Sequence, residues 1–550
     1  MKNQELSQIF GRIADILEFQ GALVFKVNAY RRAARALDEL GEDIEQVSRD
    51  GRLREVPGIG SAIAAKIGEY LATGRMAKYD EVQQQVPAAL IDLLRVQGLG
   101  PKTLALLHRE LGVKDLASLQ RALASGKATT LPGMGEKKAG NLVNGIAQLQ
   151  QGSGRMLLGL ALPVAREIVD HLRSALRAKL IAPAGSLRRM KETVGDIDIL
   201  VCHRDGRKVV DVFTGLPRAA RVLARGDTKG SIVTREGLQI DLRVVEQNSW
   251  GAALQYFTGS KDHNVRLREL ARARGMTINE YGIFRVKGNN YLGGKTEDEI
   301  YATLGLPLFP PELREDRGEI QASRGKKLPR LVELRDIKGD LHCHSDWSDG
   351  SSSIEQMAQA AIARGYRYIA ICDHSASASY AGGLKPARLR QQMAAIDKLN
   401  ARFKNSKFQI LKGSEVDIRT DGTLDFPDEL LEKLDIAVAS VHSGFSKDVT
   451  KRMIAACRNP HVTIIAHPTG RLIGRREGYQ GLDLEAVMLE AARTGTALEV
   501  NSFMDRLDLN DVHCRRAREL GCRLAIDTDS HGTEHLWMME LGVGTARRGW

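Results

Sequence analysis

The chain is poor in cysteine and has no long apolar run. Six cysteines, Cys202, Cys343, Cys372, Cys457, Cys514 and Cys522, are scattered through 550 residues without a C-x-x-C pair. That spacing excludes a zinc finger or a disulfide framework, and the expected setting is a reducing cytoplasm. Nowhere do about 18 apolar residues run together, so no membrane-spanning helix is expected. The opening M-K-N-Q-E-L-S-Q-I-F lacks the apolar core of a signal peptide. Charge is what the chain has in excess. Eighty Lys and Arg against 68 Asp and Glu leave a formal +12, a balance that favours a polyanion such as nucleic acid. The length is too great for one core and argues for roughly three or four domains.

The most informative stretch runs from Gly185 to Asp198, G-S-L-R-R-M-K-E-T-V-G-D-I-D. Its end continues into an apolar strand pattern whose period of two puts Asp196 and Asp198 on one face. Two carboxylates held so close repel, and the repulsion is relieved by a proton or by a hard divalent cation such as Mg²⁺. Upstream, Gly185, Ser186, Arg188 and Arg189 offer backbone amides, a hydroxyl and two guanidinium forks, the chemistry of a phosphate grip. A D-x-D pair alone can also be a polar strand end with solvated acids; the G-S-x-R-R segment beside it favours metal and triphosphate. A third acid, Asp241, lies in the alternating strand Gln239 to Val244 that follows a hairpin signal at Glu236-Gly237. Three carboxylates can hold two ions, the arrangement for in-line phosphoryl transfer.

These motifs resemble the family X DNA polymerases typified by polymerase beta, and the resemblance continues through Tyr256-Phe257-Thr258-Gly259-Ser260, Asn264, Arg268 and Thr277-Ile278-Asn279-Glu280-Tyr281. It implies a polymerase beta-like α+β palm over 156–245 and a fingers-like nucleotide-binding region over 246–305. It implies catalysis by Asp196, Asp198 and Asp241 with Mg²⁺ or Mn²⁺, and gripping of the triphosphate by Gly185, Ser186, Arg189 and Gly195. Tyr256, Phe257 and Gly259 would pack on the nucleotide sugar, Asn264 would meet the base and Arg268 the template. Arg243 and Glu280 would exchange partners as the fingers close.

The front of the chain repeats one signal three times: Val56-Pro57-Gly58-Ile59-Gly60, Val96-Gln97-Gly98-Leu99-Gly100 and Leu131-Pro132-Gly133-Met134-Gly135-Glu136-Lys137. These are helix-hairpin-helix patterns, whose glycines let backbone amides approach a phosphate without reading sequence. The resemblance divides the region into a helical domain over 1–80, like the small domain of polymerase beta, and a helical thumb-like DNA-binding domain over 81–155. It puts Lys66 at the place of a lysine that forms a Schiff base with an abasic sugar, with Lys26 and Tyr30 beside it. Ala62 stands where the animal enzyme is basic, and a phosphate-binding or solvated lysine is the plainer reading of Lys66.

Pro307, Pro310 and Pro311 open a charged stretch, 306–335, read as an exposed linker that tethers two separately folded halves and raises the concentration of one site around DNA held by the other. Beyond it, short apolar runs alternate with helical patterns, as in a parallel barrel-like sheet. Nearly every run ends in a metal-capable residue: His342, His344, Asp349, His374, Glu415, His442, His467, Asp529 and His531. Ligands at the carboxyl ends of successive strands converge on one mouth. Residues 336–550 therefore resemble the PHP domain, a distorted (β/α)7 barrel. The resemblance assigns His342, His344, Glu415 and Asp529 to one ion, Glu415, His442 and His467 to a second, and Asp349, His374 and His531 to a third. Zn²⁺, Mn²⁺ or Fe²⁺ would suit the mixed donors. Arg471, Arg475 and Arg476 would take the substrate phosphate.

Polymerase and PHP halves together resemble the bacterial and archaeal family X polymerases. The expected function is filling of short gaps in DNA repair, with a 3′ to 5′ exonuclease or 3′-end processing activity in the PHP half. The expected partners are gapped or primer-template DNA and dNTPs, for a monomer without membrane association. Two rivals stay open: a small-molecule phosphatase carried on DNA, and a non-catalytic end-bridging factor.

Overall fold

The computed structural model describes residues 2–550 except 97, 137, 141, 144, 145, 147–154 and 404–406. Residues 1–154 and 155–550 are separate compact units.

In the first unit, helices Lys2–Phe19 and Val24–Asp38 pack through Leu6, Phe10, Ile13, Val27, Tyr30 and Leu37. The three hairpins then repeat one geometry. The amides of Ile59, Leu99 and Met134 each donate at 3.0 Å to the carbonyls of Val56, Val96 and Leu131. Gly58, Gly98 and Gly133 take φ of +96°, +85° and +72°, which a side chain would strain. Ile59, Leu99 and Met134 plug into the core, while Gly60, Gly100 and Gly135 have open space where a Cβ would project. Gln97 and Lys137 lie outside the described residues.

The second unit begins with a ribbon of β1 (Met156–Leu157) and β3 (Thr193–Val194). Beside it stands a five-stranded sheet made of β2 (Ile181–Pro183), β4 (Asp196–Cys202), β5 (Ala219–Arg225), β6 (Lys229–Thr234) and β7 (Gln239–Val245), in the order β2-β4-β7-β6-β5. Along β4 the acids alternate with Ile197 and Ile199, which are fully buried. The helix Leu158–Leu176 covers the buried face. It carries Pro163 inside it, and its Leu158 amide donates to the Glu192 carbonyl at 2.9 Å.

Next comes a small antiparallel sheet of β8 (Met276–Asn279), β9 (Gly282–Arg285) and β10 (Tyr291–Gly293), packed with helices Trp250–Thr258, Lys261–Ala273 and Glu297–Thr303. The 306–335 stretch differs from its expectation as a linker. Leu306, Phe309 and Ile320 belong to the core of this region, and Arg314, wholly buried, donates to the Phe309 carbonyl and to Glu297. Glu319 is buried against His263 at 2.7 Å. Prolines scatter these apolar contacts at irregular spacing, so no period betrays them. The longest exposed run in the stretch is Arg324–Lys327, with Pro307, Leu308, Gln321, Arg330, Leu334 and Arg335 among the other exposed positions.

The final sheet, β11 (Gly339–Cys343), β12 (Tyr368–Ile371), β13 (Gln409–Asp417), β14 (Ile436–Ser440), β15 (Ile464–Ile465), β16 (Ala497–Asn501) and β17 (Arg523–Asp527), is parallel and in sequence order. The His344 amide donates to the Ser530 carbonyl at 2.7 Å and joins the two ends, so the barrel is nearly closed. Its core is continuous with that of the palm at one place. Leu507, Met538 and Leu541 share one core cluster with Leu158, Leu162 and Ile199.

Candidate functional site

β4 and β7 are parallel, with Asp198 in register opposite Asp241. All three acids therefore meet on one face at the end of two strands. Burial first, then Asp196 and Asp241, push the Asp198 carboxyl up to about 7; burial and Asp241 raise Asp196 as well. A divalent cation among them would reverse those shifts. Asp196 and Asp198 line a cleft of about 450 Å³ together with Gly185, Ser186, Arg189, Gly195, Tyr256, Phe257, Gly259, Asn264 and Arg268, while Asp241 is not among its lining residues. Thus most of the expected nucleotide contacts come together. Gly185 has φ +63°, and a Cβ there would lie 2.6 Å from Asp198 Oδ2; the residue is small so that loop and carboxylate can touch.

Neighbouring side chains hold the cleft residues in place. Asn264 donates to the Tyr256 carbonyl at 2.7 Å and accepts from Gln255 at 2.6 Å. Ser260 caps the helix Lys261–Ala273 by accepting from the His263 amide. Of the two arginines in G-S-x-R-R only Arg189 lines the cleft. Arg188 is bidentate to Glu297 at 2.9 and 2.7 Å, so its fork is committed to protein. Arg243 lies over the Phe257 ring at 4.7 Å, and Glu280 sits in the turn between β8 and β9. Arg155 and Lys261 also line the cleft, and nothing in their local sequence marked them.

In the first unit, the Gly58 and Gly98 turns lead directly into helices Ser61–Thr73 and Pro101–Leu111. The first turn of a helix presents amides without intrahelical partners, which suit phosphate oxygens, although Pro101 itself supplies none. Lys66 is half-buried and donates to the Ala62 carbonyl at 3.1 Å, one turn back. Tyr30 is buried and Lys26 exposed.

The barrel mouth gathers all nine expected ligands. Glu415, 1% exposed, is the hub: its Oε1 is 3.2 Å from His442 Nε2 and 3.1 Å from His467 Nε2. Its Oε2 is 2.9, 3.5 and 3.6 Å from nitrogens of His374, His342 and His344. Asp529 Oδ1 is 3.1 Å from His344 Nε2. Asp349 Oδ2 is 3.5 Å from His374 Nε2 and 3.4 Å from His531 Nε2. His342 and His344 point their Nε2 atoms at each other across 3.2 Å. Lone pairs converging so closely fit cations, and the buried Nδ1 of His467 has no hydrogen-bond partner among the described residues.

Behind the ligands stands a layer the sequence reading missed. Asp417 holds His442 Nδ1 at 2.6 Å, and Glu499 holds His342 Nδ1 at 2.6 Å. Such carboxylates orient metal-binding rings. Asp527, also buried, comes together with His342 and Glu499; burial and then Glu499 push its carboxyl well up. A signal was available for Asp417, which ends the strand that carries Glu415, but not for Glu499, which lies inside β16, a strand that delivers none of the nine ligands. Arg506 sits 3.7 Å from Asp529. Arg471, expected to take phosphate, instead donates to Glu192 of the palm at 2.6 Å and to the Arg506 and Leu507 carbonyls. Its fork is used up in the seam between palm and barrel. Arg476 lies over Phe445 and donates to the Gly470 carbonyl, while Arg475 is exposed.

Known protein families match four stretches: a helix-hairpin-helix domain over residues 1–76, a SAM-like helix-hairpin-helix tandem over 90–148, the DNA polymerase beta thumb over 253–315 and the PHP domain over 340–472. The thumb match runs through the region called fingers-like above and into the stretch read as a linker. The DNA polymerase/3′-5′ exonuclease PolX of Bacillus subtilis (strain 168) is 41% identical over 100% of this chain and 96% of its own length. DNA polymerase lambda of Rattus norvegicus is 27% identical over 51% of this chain and 52% of its own. A probable phosphatase of Thermoanaerobacter sp. (strain X514) is 31% identical over 35% of this chain, covering 78% of that protein. With so even a match from end to end, on top of the acid triad and the histidine-lined barrel, this chain belongs to the family X DNA polymerases that carry a C-terminal PHP domain.

Proposed function

We propose that the protein fills short gaps in DNA by template-directed nucleotide addition and trims 3′ ends at its barrel mouth. The observation that carries this reading is the register of Asp198 opposite Asp241 at the edge of a cleft lined by Ser186 and Arg189. Both activities depend on divalent cations. In the palm, Asp196, Asp198 and Asp241 would hold Mg²⁺ or Mn²⁺, which lowers the pKa of the attacking 3′ hydroxyl and neutralises charge on the leaving pyrophosphate. Arg189, Ser186 and the Gly185 and Gly195 backbone bind the triphosphate, Tyr256 and Phe257 pack on the sugar, and Asn264 and Arg268 meet the base pair.

At the barrel, up to three Zn²⁺, Mn²⁺ or Fe²⁺ would be held by the nine ligands. Asp417 and Glu499 keep His442 and His342 aimed, and Arg506 is placed to take a substrate phosphate. The hairpin backbones bind gapped or primer-template DNA without regard to sequence. The protein works as a monomer in the cytoplasm, on the nucleoid; among the described residues no helix is long and apolar enough to cross a membrane.

The test is a gapped, 5′-labelled primer incubated with and without dNTPs. Asp196→Ala and Asp198→Ala should lower extension by on the order of 10³-fold and leave trimming. His344→Ala and Glu415→Ala should do the reverse. Trimming that survives both barrel variants sinks the nuclease assignment, and extension that survives the palm variants sinks the polymerase. A second reading rests on the 31% identity to a probable phosphatase: turnover of a small phosphate monoester exceeding DNA cleavage would favour it. Borohydride trapping on an abasic duplex, at equal yield in Lys66→Ala, would remove the lyase role of Lys66.

A further inference from the structure

Arg189 is held from outside the palm. Its Nη1 donates to the Thr258 carbonyl at 2.6 Å and its Nε to Glu315 Oε1 at 3.0 Å. That same oxygen accepts at 2.8 Å from Nη1 of Arg548, at the end of the barrel's last helix, Met539–Arg548. The same Nη1 also donates to the backbone carbonyl of Arg189 at 2.8 Å. Arg548 thus touches Arg189 at its main chain and, through Glu315, at its head group. The other nitrogen of Arg548 meets Asp511 Oδ2 at 2.8 Å, which Arg317 also reaches at 2.9 Å. The network is buried: the side chains of Arg548, Glu315 and Arg189 are 4%, 9% and 11% exposed.

Around Glu315 the charge is uneven: two guanidinium groups, Arg189 and Arg548, share its one carboxylate, which leaves one positive charge within that trio, and Lys191 adds to the positive field on the acid. Arg189 is the member of this network that lines the nucleotide cleft, so that is where the surplus can meet an anion. We propose that Arg548 is a positioning residue for the polymerase site: by sharing Glu315 with Arg189 it keeps the Arg189 charge available to a triphosphate, and so the PHP barrel sets nucleotide affinity in the palm. This rests on the polymerase reading above. Without Arg548, Glu315 is left to Arg189 alone, the two form a neutral pair, and the surplus disappears.

The experiment is single-nucleotide gap filling by the full chain across a dNTP series, with 3′ trimming and the unfolding temperature measured in parallel. Arg548→Ala should raise the dNTP KM about ten-fold with kcat within about three-fold, and Arg548→Lys, which keeps the charge and loses the fork, should fall between. The decisive variant is the double Arg548→Ala/Glu315→Gln, which removes one charge of each sign and restores the surplus. Its KM should return toward the wild type. A mere structural role predicts that the double variant is as poor as the single or worse, and that outcome overturns the proposal. So does a single variant with unchanged KM, or one in which KM, kcat, trimming and unfolding temperature all deteriorate together. If the wild-type chain adds no nucleotide, the polymerase reading itself has failed and this inference falls with it; normal wild-type extension beside a normal Arg548→Ala refutes the inference alone.

Discussion

At the scale of single residues, protons and charges decide what each carboxylate can do. Glu499 and Asp527 lie together behind His342, yet they are not equivalent. Glu499 accepts from the imidazole and is held low by it against burial, whereas burial and then Glu499 push Asp527 well up, and neither Asp527 oxygen has a hydrogen-bond partner among the described residues. Asp527→Asn removes no hydrogen bond from the imidazole and should leave metal content and trimming within about three-fold. Glu499→Gln takes the acceptor charge from His342 and should cost about 10–100-fold in metal affinity. Metal content after dialysis, with trimming against added Mn²⁺, separates the two; equal effects would mean that Glu499 does not hold His342. Glu315 makes a pH prediction. Burial would raise its carboxyl, but Arg548, Arg189 and Lys191 outweigh burial and hold it at about 2, below an ordinary 4.5. Its stabilisation is therefore complete above about pH 4.5 and is lost as the pH falls toward 2. The difference amounts to about 3 kcal/mol at neutral pH. Denaturant midpoints of wild type and Glu315→Gln should lie apart at pH 7 and converge as the pH falls to about 2.

At the scale of elements, what the sequence made legible is what repeats or alternates. The D-I-D strand, the three G-h-G turns and the barrel strands ending in His or Glu follow from period and position alone. What escaped lacks a period. Arg314, Glu315 and Glu319 sit in a proline-broken stretch that reads as solvent-exposed charge, but each finds a buried partner far along the chain. Arg471 looked like a phosphate ligand because it follows His467, and a strand-end rule cannot tell whether a loop turns toward the mouth or toward a neighbouring domain. Asp417 and Asp527 were overlooked because acids behind a metal site and acids on it share the same strand ends, and Glu499 because it lies inside a strand that carries none of the nine ligands. The loop before β4 gives a prediction of its own. Gly185 holds φ +63° with its would-be Cβ 2.6 Å from Asp198 Oδ2, so Gly185→Ala adds backbone strain and pushes the carboxylate aside. Extension should fall about 100-fold, as displacements near 1 Å do, while trimming is retained. Near-normal extension by a folded Gly185→Ala chain would contradict the contact.

At the scale of the molecule, residues 155–550 should behave as one cooperative body because palm and barrel share a core cluster across their seam, beside the cores the barrel has of its own. Leu541, on the barrel's last helix, is fully buried in a cluster that includes Leu158, Leu162 and Ile199 of the palm. At the same seam a Cβ on Gly159 would lie 2.4 Å from Met504 Cβ and 3.1 Å from Leu541, so helix Leu158–Leu176 approaches as closely as backbone allows. Arg166 pairs with Glu540 and Arg471 with Glu192 across it. Leu541→Ala leaves every proposed catalytic group and metal ligand intact and should cost about 2–5 kcal/mol by opening a cavity. If the seam ties the two halves into one folding unit, extension and trimming lose activity on heating along a single curve. Leu541→Ala then moves both midpoints down together by several degrees. If the halves were independent bodies on a tether, the variant would lower the midpoint of trimming and leave that of extension in place. Heating one preparation, withdrawing samples for both assays and comparing the two midpoints distinguishes these outcomes.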